Sequence, residues 1–218
     1  MSAMPDLSDR LAACYTGVVH DVLRAMGRSA FTLPAELRPI LPERAMAGPA
    51  FTIAGEVVPG ADPHETLLAW TGLLSQAPAG SIWVSQPNDR AVAHMGELSA
   101  ETLKNKGVRG CVVDGCIRDV NFLLAIGFQA WCRGFTPRDI VGHWLPTATD
   151  TPISIGDVDI APGDYLVGDR DGLLRVPQAD VAAVVEQSEA AMATESLVRK
   201  AILAGTDPQA AYLKYGKF

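Results

Sequence analysis

The sequence is poor in the features that mark secreted, membrane-spanning or nucleic-acid-gripping chains. No apolar run approaches the roughly 20 residues needed to cross a bilayer. Residues Met1 to Arg10 carry Asp6 and Asp9 instead of a basic start followed by an apolar core, so no secretory or transit signal is expected there. Cysteine is scarce. Cys14, Cys111, Cys116 and Cys132 sit in apolar runs without the short paired spacings of a zinc site or disulfide framework, which predicts buried thiols and a cytoplasmic chain. Basic charge is in deficit: 18 Lys and Arg stand against 25 Asp and Glu, a formal net charge of -7. That balance lacks the electrostatic footprint of a phosphate-backbone binder, so neither nucleic acid nor a membrane is an expected partner. His20, His64, His94 and His143 are too scattered to form a metal cluster by spacing.

What is present is a globular balance, with 48% hydrophobic and 20% charged residues over 218 positions, which fits a single domain spanning 1–218. Leu11, Tyr15, Val18, Val19, Val22, Leu23 and Met26 follow helical spacing, with Ser8 as the expected cap and Gly27 as the stop. After a proline-rich connection, strands are predicted at Ala50 to Val58, Ser81 to Gln86, 108–113 and Gln129 to Arg133. Helices at His64 to Gln76, Val92 to Lys106 and Arg118 to Ile126 alternate with them. Beyond residue 150, short apolar pairs are separated by Gly156-Asp157, Pro162-Gly163-Asp164 and Asp171-Gly172, which are hairpin signals. Asp169-Arg170-Asp171-Gly172 therefore reads as a turn and not a calcium loop. A long helix from Gln178 to Leu203, stopped by Gly205, follows. The order predicts an α/β sandwich with a parallel unit followed by antiparallel strands.

Chemistry concentrates in two stretches, Gly96-Glu97-Leu98-Ser99 and Asp114-Gly115-Cys116-Ile117-Arg118-Asp119. A helix of about ten residues descends roughly 15 Å, and a strand of five climbs back roughly 16 Å. In a right-handed βαβ unit, helix start and following strand end share one sheet edge, where ligands bind. Glu97, Arg118 and Asp119 are therefore expected to face one crevice. Two carboxylates beside a guanidinium suit a hard cation that keeps most of its waters, next to a small anion. The amides near Leu98 and Ser99 would add an anion site at the helix start.

Glu97, twenty intervening residues and then Arg118-Asp119 resemble the acidic-X20-Arg-Asp pattern of class II pyruvate aldolases within the RraA-like family. These aldolases act on 4-hydroxy-4-methyl-2-oxoglutarate and 4-carboxy-4-hydroxy-2-oxoadipate. Gly48-Pro49-Ala50, Val113 to Asp119, Arg133-Gly134-Phe135-Thr136-Pro137-Arg138 and Pro162 to Asp169 also look like family blocks, so the resemblance covers most of the chain. Phe122 departs from patterns that carry an acid three residues after the Asp.

The resemblance implies the α/β/β swivelling-domain fold and a homotrimer or homohexamer. It implies a metal (Mg²⁺, Mn²⁺ or Co²⁺) held directly by Asp119 and through water by Glu97. Arg118 would contact the pyruvyl carboxylate and the developing enolate, and the backbone at Gly96, Leu98 and Ser99 would hold substrate. The implied reaction is retro-aldol cleavage of a 4-hydroxy-2-oxo acid to pyruvate and a second oxoacid, with oxaloacetate decarboxylation beside it. Asp114 is expected to support the turn or Arg118. Family members also use a glutamate from a neighbouring subunit's C-terminal helix, here Glu195 within 178–205. On a helical wheel Glu195 falls on the stripe of Val181, Val184, Val185, Ser188 and Met192, though Arg199 four residues on offers an intrahelical partner. Some RraA-like proteins are regulators that bind a ribonuclease, which stands as the alternative; a pure regulator has no chemical need for Glu97. The five lysines lie away from the predicted crevice, which disfavours Schiff-base chemistry. No glycine-rich loop follows an early strand, so the family's older methyltransferase label finds no support.

Overall fold

The structure is a computed structural model, and it describes residues 6–216. The chain begins with α1 (Leu7–Ala12) and α2 (Thr16–Ala25), followed by β1 (Arg38–Pro39) and β2 (Met46–Val57). Next come α3 (Pro63–Gln76), β3 (Ile82–Gln86), α4 (Glu97–Asn105), β4 (Gly110–Val113), β5 (Cys116–Ile117), α5 (Val120–Ile126) and β6 (Gln129–Cys132). Shorter strands follow: β7 (Gly134–Phe135), β8 (Trp144–Thr149), β9 (Ile153–Ile155), β10 (Val158–Ile160), β11 (Tyr165–Gly168) and β12 (Leu173–Val176). A 3-10 turn at Gln178–Asp180 leads into α6 (Val181–Leu203), and α7 (Pro208–Tyr215) comes last.

The main sheet runs β1-β6-β4-β3-β2-β11-β12, with β8 also pairing β2. Its centre, β6-β4-β3-β2, is parallel, whereas β1, β8, β11 and β12 join antiparallel. Parallel neighbours need crossover helices, and α3, α4 and α5 supply them. Leu73, Leu74, Leu103 and Leu123 from these helices share one buried cluster with Trp83, Cys111 and Ala130 of the sheet. On the opposite face the β9-β10 hairpin buries Ile153, Ile155, Val158 and Ile160 against Ile82, Val84, Val112 and Trp131. At the antiparallel end, α1, α2 and the first half of α6 cover Val167, Leu174 and Val176. The result is the mixed α/β architecture expected from the sequence, with a curled mixed sheet and a long C-terminal helix.

Three local expectations are corrected. The first helix is broken at Ala13 to Tyr15. Asp6, not Ser8, caps α1 by accepting the Asp9 amide at 2.8 Å. A distant carboxylate then restarts the chain, since Asp169 of the β11-β12 turn accepts both the Thr16 amide (2.8 Å) and hydroxyl (2.7 Å). Residues 92–96 form an irregular, non-helical segment, and α4 begins only at Glu97. Their backbone is taken up by tertiary partners, with Ala93 bridging Cys116 and its amide donating to Arg138 C=O. Third, α5 starts at Val120, because Asp119 occupies the left-handed region (φ 56°) and cannot continue a helix.

The sheet bends at a bulge between Ala54 and Gly55 of β2. A Cβ on Gly55 would lie 1.8 Å from the buried Trp144 ring. Gly55→Ala is expected to destabilise the fold by about 1–3 kcal/mol through overpacking, read as a lower urea midpoint. An unchanged midpoint would show that Trp144 can move aside.

Candidate functional site

Segments that follow β3 and β4 line a cavity of about 690 Å³. The start of α4 forms one wall, Arg118-Asp119 another, and Asp139 to Val141 a third; Leu67, Trp70, Thr71 and Leu74 of α3 complete it. Gly96, Glu97, Leu98, Ser99, Arg118 and Asp119, singled out from the sequence, therefore share one cleft.

The contact between the two stretches is close. The Glu97 amide donates to Asp119 Oδ2 at 3.1 Å, and the Arg118 amide donates to Met95 C=O at 2.9 Å. Arg118 Nε lies 3.4 Å from Asp119 Oδ2, and its Nη1 lies 3.3 Å from Asp139 Oδ2. The guanidinium is thus held between two carboxylates, with each of the three side chains at least a third exposed. Gly96 makes the approach possible: a Cβ there would sit 2.7 Å from Asp119 Oδ2 and 3.2 Å from Arg118 Cγ. The left-handed Asp119 turns its carboxylate back over the α4 start, a conformation costing about 1 kcal/mol or more for a non-glycine residue.

Leu98 and Ser99 occupy the first turn of α4, where amides have no intrahelical acceptor. The Ser99 hydroxyl accepts the Trp70 indole N–H at 2.9 Å, which fixes the wall between α3 and α4. Among the described residues no three His, Cys, Asp or Glu side chains gather into a ready-made metal cage. One or two half-exposed carboxylates nonetheless suit Mg²⁺, which retains several waters. Asp119 and Glu97 fit that donor set.

Two expected residues stand elsewhere. Asp114 is engaged by Arg133 Nε, so its ion-pair partner is Arg133 and not Arg118. Glu195 lines a separate hollow with Tyr15, Met192, Ser196 and Arg199, and its carboxylate accepts the Tyr15 hydroxyl proton. Asp139, which the sequence reading passed over beside Thr136-Pro137-Arg138, lines the cleft and pairs with Arg118. Only its position one residue beyond that block could have pointed to it.

Residues 6–175 match the family described as "RraA-like: Aldolase/RraA". The chain belongs to the RraA-like family. A relative from Halalkalibacterium halodurans, bearing the name "Putative 4-hydroxy-4-methyl-2-oxoglutarate aldolase", is 28% identical over 186 residues, covering 84% of this chain and 83% of its own. Among solved structures, an uncharacterised protein from Pseudomonas syringae pv. tomato superposes with a TM-score of 0.81 at 25% identity, covering 94% of this chain and 96% of its own. Streptomyces coelicolor RraAS2, described as an unusual member of the RNase ES inhibitor RraA protein family, gives 0.79 at 26% identity, covering 91% and 99%. The RraA-like fold thus accompanies both aldolase and ribonuclease-inhibitor names, and the cleft's chemistry must choose between them.

Gly96→Ala should displace the Asp119 carboxylate while leaving the core intact. Any activity seated in this cleft is expected to fall roughly 10²-fold, the scale of a 1 Å misplacement, with little change in thermal midpoint. Full activity would show that Asp119 has room to move.

Burial and the Glu195 hydrogen bond push the Tyr15 hydroxyl from 10.0 up to about 12. Between those values the folded chain keeps a proton that the unfolded chain has lost. This contribution to stability is therefore intact below pH 10 and disappears as pH rises towards 12. Tyr15→Phe should flatten the fall in stability over that window, as measured by urea denaturation; an unchanged slope would disprove the assignment.

Proposed function

We propose that this RraA-like protein is a divalent-metal-dependent carbon–carbon lyase that cleaves a branched 4-hydroxy-2-oxo di- or tricarboxylate to pyruvate and a second oxoacid. The observation that carries this reading is the convergence of Glu97, Arg118 and Asp119 on one cleft, with the Glu97 amide bonded to Asp119. A surface made only to bind a protein gains nothing from an acid held at that place.

Asp119 would hold the cation directly and Glu97 would do so through water. A bound divalent cation supplies positive charge that draws electrons towards the substrate's 2-oxo group. Arg118 forks onto the substrate carboxylate and steadies the charge that develops as the bond between carbons 3 and 4 breaks. Asp139 keeps the guanidinium aimed across the cleft. First-turn amides of Leu98 and Ser99 orient the carboxylate, and the buried Trp70, Leu74, Met95 and Ile140 exclude water from the reacting carbons. A base takes the 4-hydroxyl proton, the second oxoacid leaves with a new carbonyl, and carbon 3 is then protonated to give pyruvate. Oxaloacetate passes through the same enolate by losing carbon dioxide, so its decarboxylation belongs to the proposal.

Glu195 is the proposed base, delivered from a neighbouring subunit's C-terminal helix, because within one chain it lies outside the cleft. Exposed Leu98 (76%) and Leu67 (48%) at the cavity lip support a covering subunit in a trimer or hexamer.

The test is pyruvate release from 4-hydroxy-4-methyl-2-oxoglutarate and from oxaloacetate, with Mg²⁺ and then with excess EDTA. Chelator-sensitive pyruvate from both is expected, and Arg118→Lys should lose roughly 10²-fold or more, since a point charge cannot reproduce the fork. Pyruvate from oxaloacetate alone would move the natural substrate elsewhere. Silence with both substrates, in folded and metal-supplied protein, would overturn the lyase and favour the ribonuclease-binding alternative.

A further inference from the structure

The non-helical segment 92–96 delivers Gly96 and Glu97 to the start of α4. It is held on two sides. His94 N–H donates to Cys116 C=O, Met95 C=O accepts the Arg118 amide, and Ala93 N–H donates to Arg138 C=O, each at 2.9 Å. The segment therefore lies between the stretch carrying Arg118-Asp119 and the stretch leading into Asp139.

A polar pair is buried behind it. His94 is 1% exposed, and its Nε2 lies 3.0 Å from Oδ2 of Asp89, whose side chain is 7% exposed. The same oxygen accepts the Ala91 (3.2 Å) and Val92 (3.0 Å) amides. Burial pushes the Asp89 carboxyl up, but hydrogen bonds from His94, Val92 and Ala91 outweigh it and hold the group below its ordinary value. Burial lowers the His94 pKa, with Asp89 partly offsetting it. An ionised carboxylate requires a donor, so the neutral imidazole presents Nε2–H. Nδ1, buried without a hydrogen-bond partner among the described residues, is then a bare acceptor and not an unpaired donor.

Two rings flank this pair. His143 Nε2 stands 3.7 Å from Asp89 Oδ1. Trp144 meets the His94 ring edge-on at 5.1 Å, and its indole N–H donates to Pro87 C=O at 2.8 Å. Neither Asp89 nor His94 lines the cleft. A buried carboxylate is costly unless well paired, and His94 supplies the side-chain donor that Asp89 needs.

We propose that Asp89 and His94 are positioning residues for the cleft. Their hydrogen bond fixes residues 93–96 against 116–118 and thereby sets where Glu97 stands relative to the Asp119 carboxylate. The inference rests on reading the cleft as the catalytic site. Transmission is short: the Glu97 amide donates to Asp119 Oδ2 at 3.1 Å, and a Cβ at Gly96 would sit only 2.7 Å from that oxygen, so little room separates the two stretches.

The experiment compares wild type with His94→Leu, which fills the space without a donor, and His94→Gln, whose amide can donate near the Nε2 position. It measures kcat and KM for pyruvate release from oxaloacetate with Mg²⁺, the thermal midpoint, and amide hydrogen exchange in peptides covering 92–99 and 116–119. For His94→Leu, kcat should fall roughly 10 to 100-fold with KM little changed, and exchange should quicken in those peptides alone. His94→Gln should recover most of the kcat. If His94→Leu does not fold, Asp89→Asn, which keeps the shape and removes the charge, should show the same kcat-selective loss. Wild-type kcat with unchanged exchange in the folded variant would overturn the proposal. So would a loss that Gln does not rescue and that comes with faster exchange throughout the chain. If wild type itself releases no pyruvate, the proposed function fails and the exchange comparison alone decides whether the pair holds the segment.

Discussion

The site depends on one close approach: the Asp119 carboxylate folded back onto the amide that opens α4, across a glycine that leaves it room. The Glu97 amide to Asp119 Oδ2 bond joins two stretches 22 residues apart in sequence. It satisfies one of the amides that every helix start leaves without an intrahelical acceptor. It also fixes a carboxylate beside Arg118, whose other side is held by Asp139. Removing the glycine, the left-handed turn at Asp119 or the parallel alignment of β3 with β4 would separate these groups. The parallel centre of the sheet is thus the scaffold that brings one helix start and one strand end to the same edge.

The molecule divides its polar groups by depth. Those in the cleft, Arg118, Asp119 and Asp139, are partly exposed, which suits groups that exchange between water and ligand. Those behind it, Asp89 and His94, are buried and paired and hold backbone. A third set ties the helical end together: Arg10 forks onto Glu189 at 2.9 and 2.7 Å, joining α1 to α6, while Tyr15 holds Glu195 in its own hollow.

Much of the fold was legible because its signals are local. Helical spacing located α3 and α6, and Gly and Asp pairs located the β11-β12 turn, where Asp169 accepts the Thr16 amide and hydroxyl at the start of α2. Where a reading failed beyond the helix ends, distant partners decided it. Residues 92–96 have a composition compatible with helix, but Cys116 and Arg138 claim their backbone groups. Asp114 lies four residues from Arg118, yet β4 and β6 run side by side and bring it to Arg133.

The sequence by itself determined the chemistry available: two acids and one arginine at a spacing that a βαβ unit returns to one edge, with glycine where Asp119 must approach. Periodicity and steric demand are properties of the chain itself. Only the tertiary structure decided which charges meet. Asp139 joins Arg118, Asp114 joins Arg133, and His94 joins Asp89 because strand register and loop path set distances that spacing along the chain does not encode.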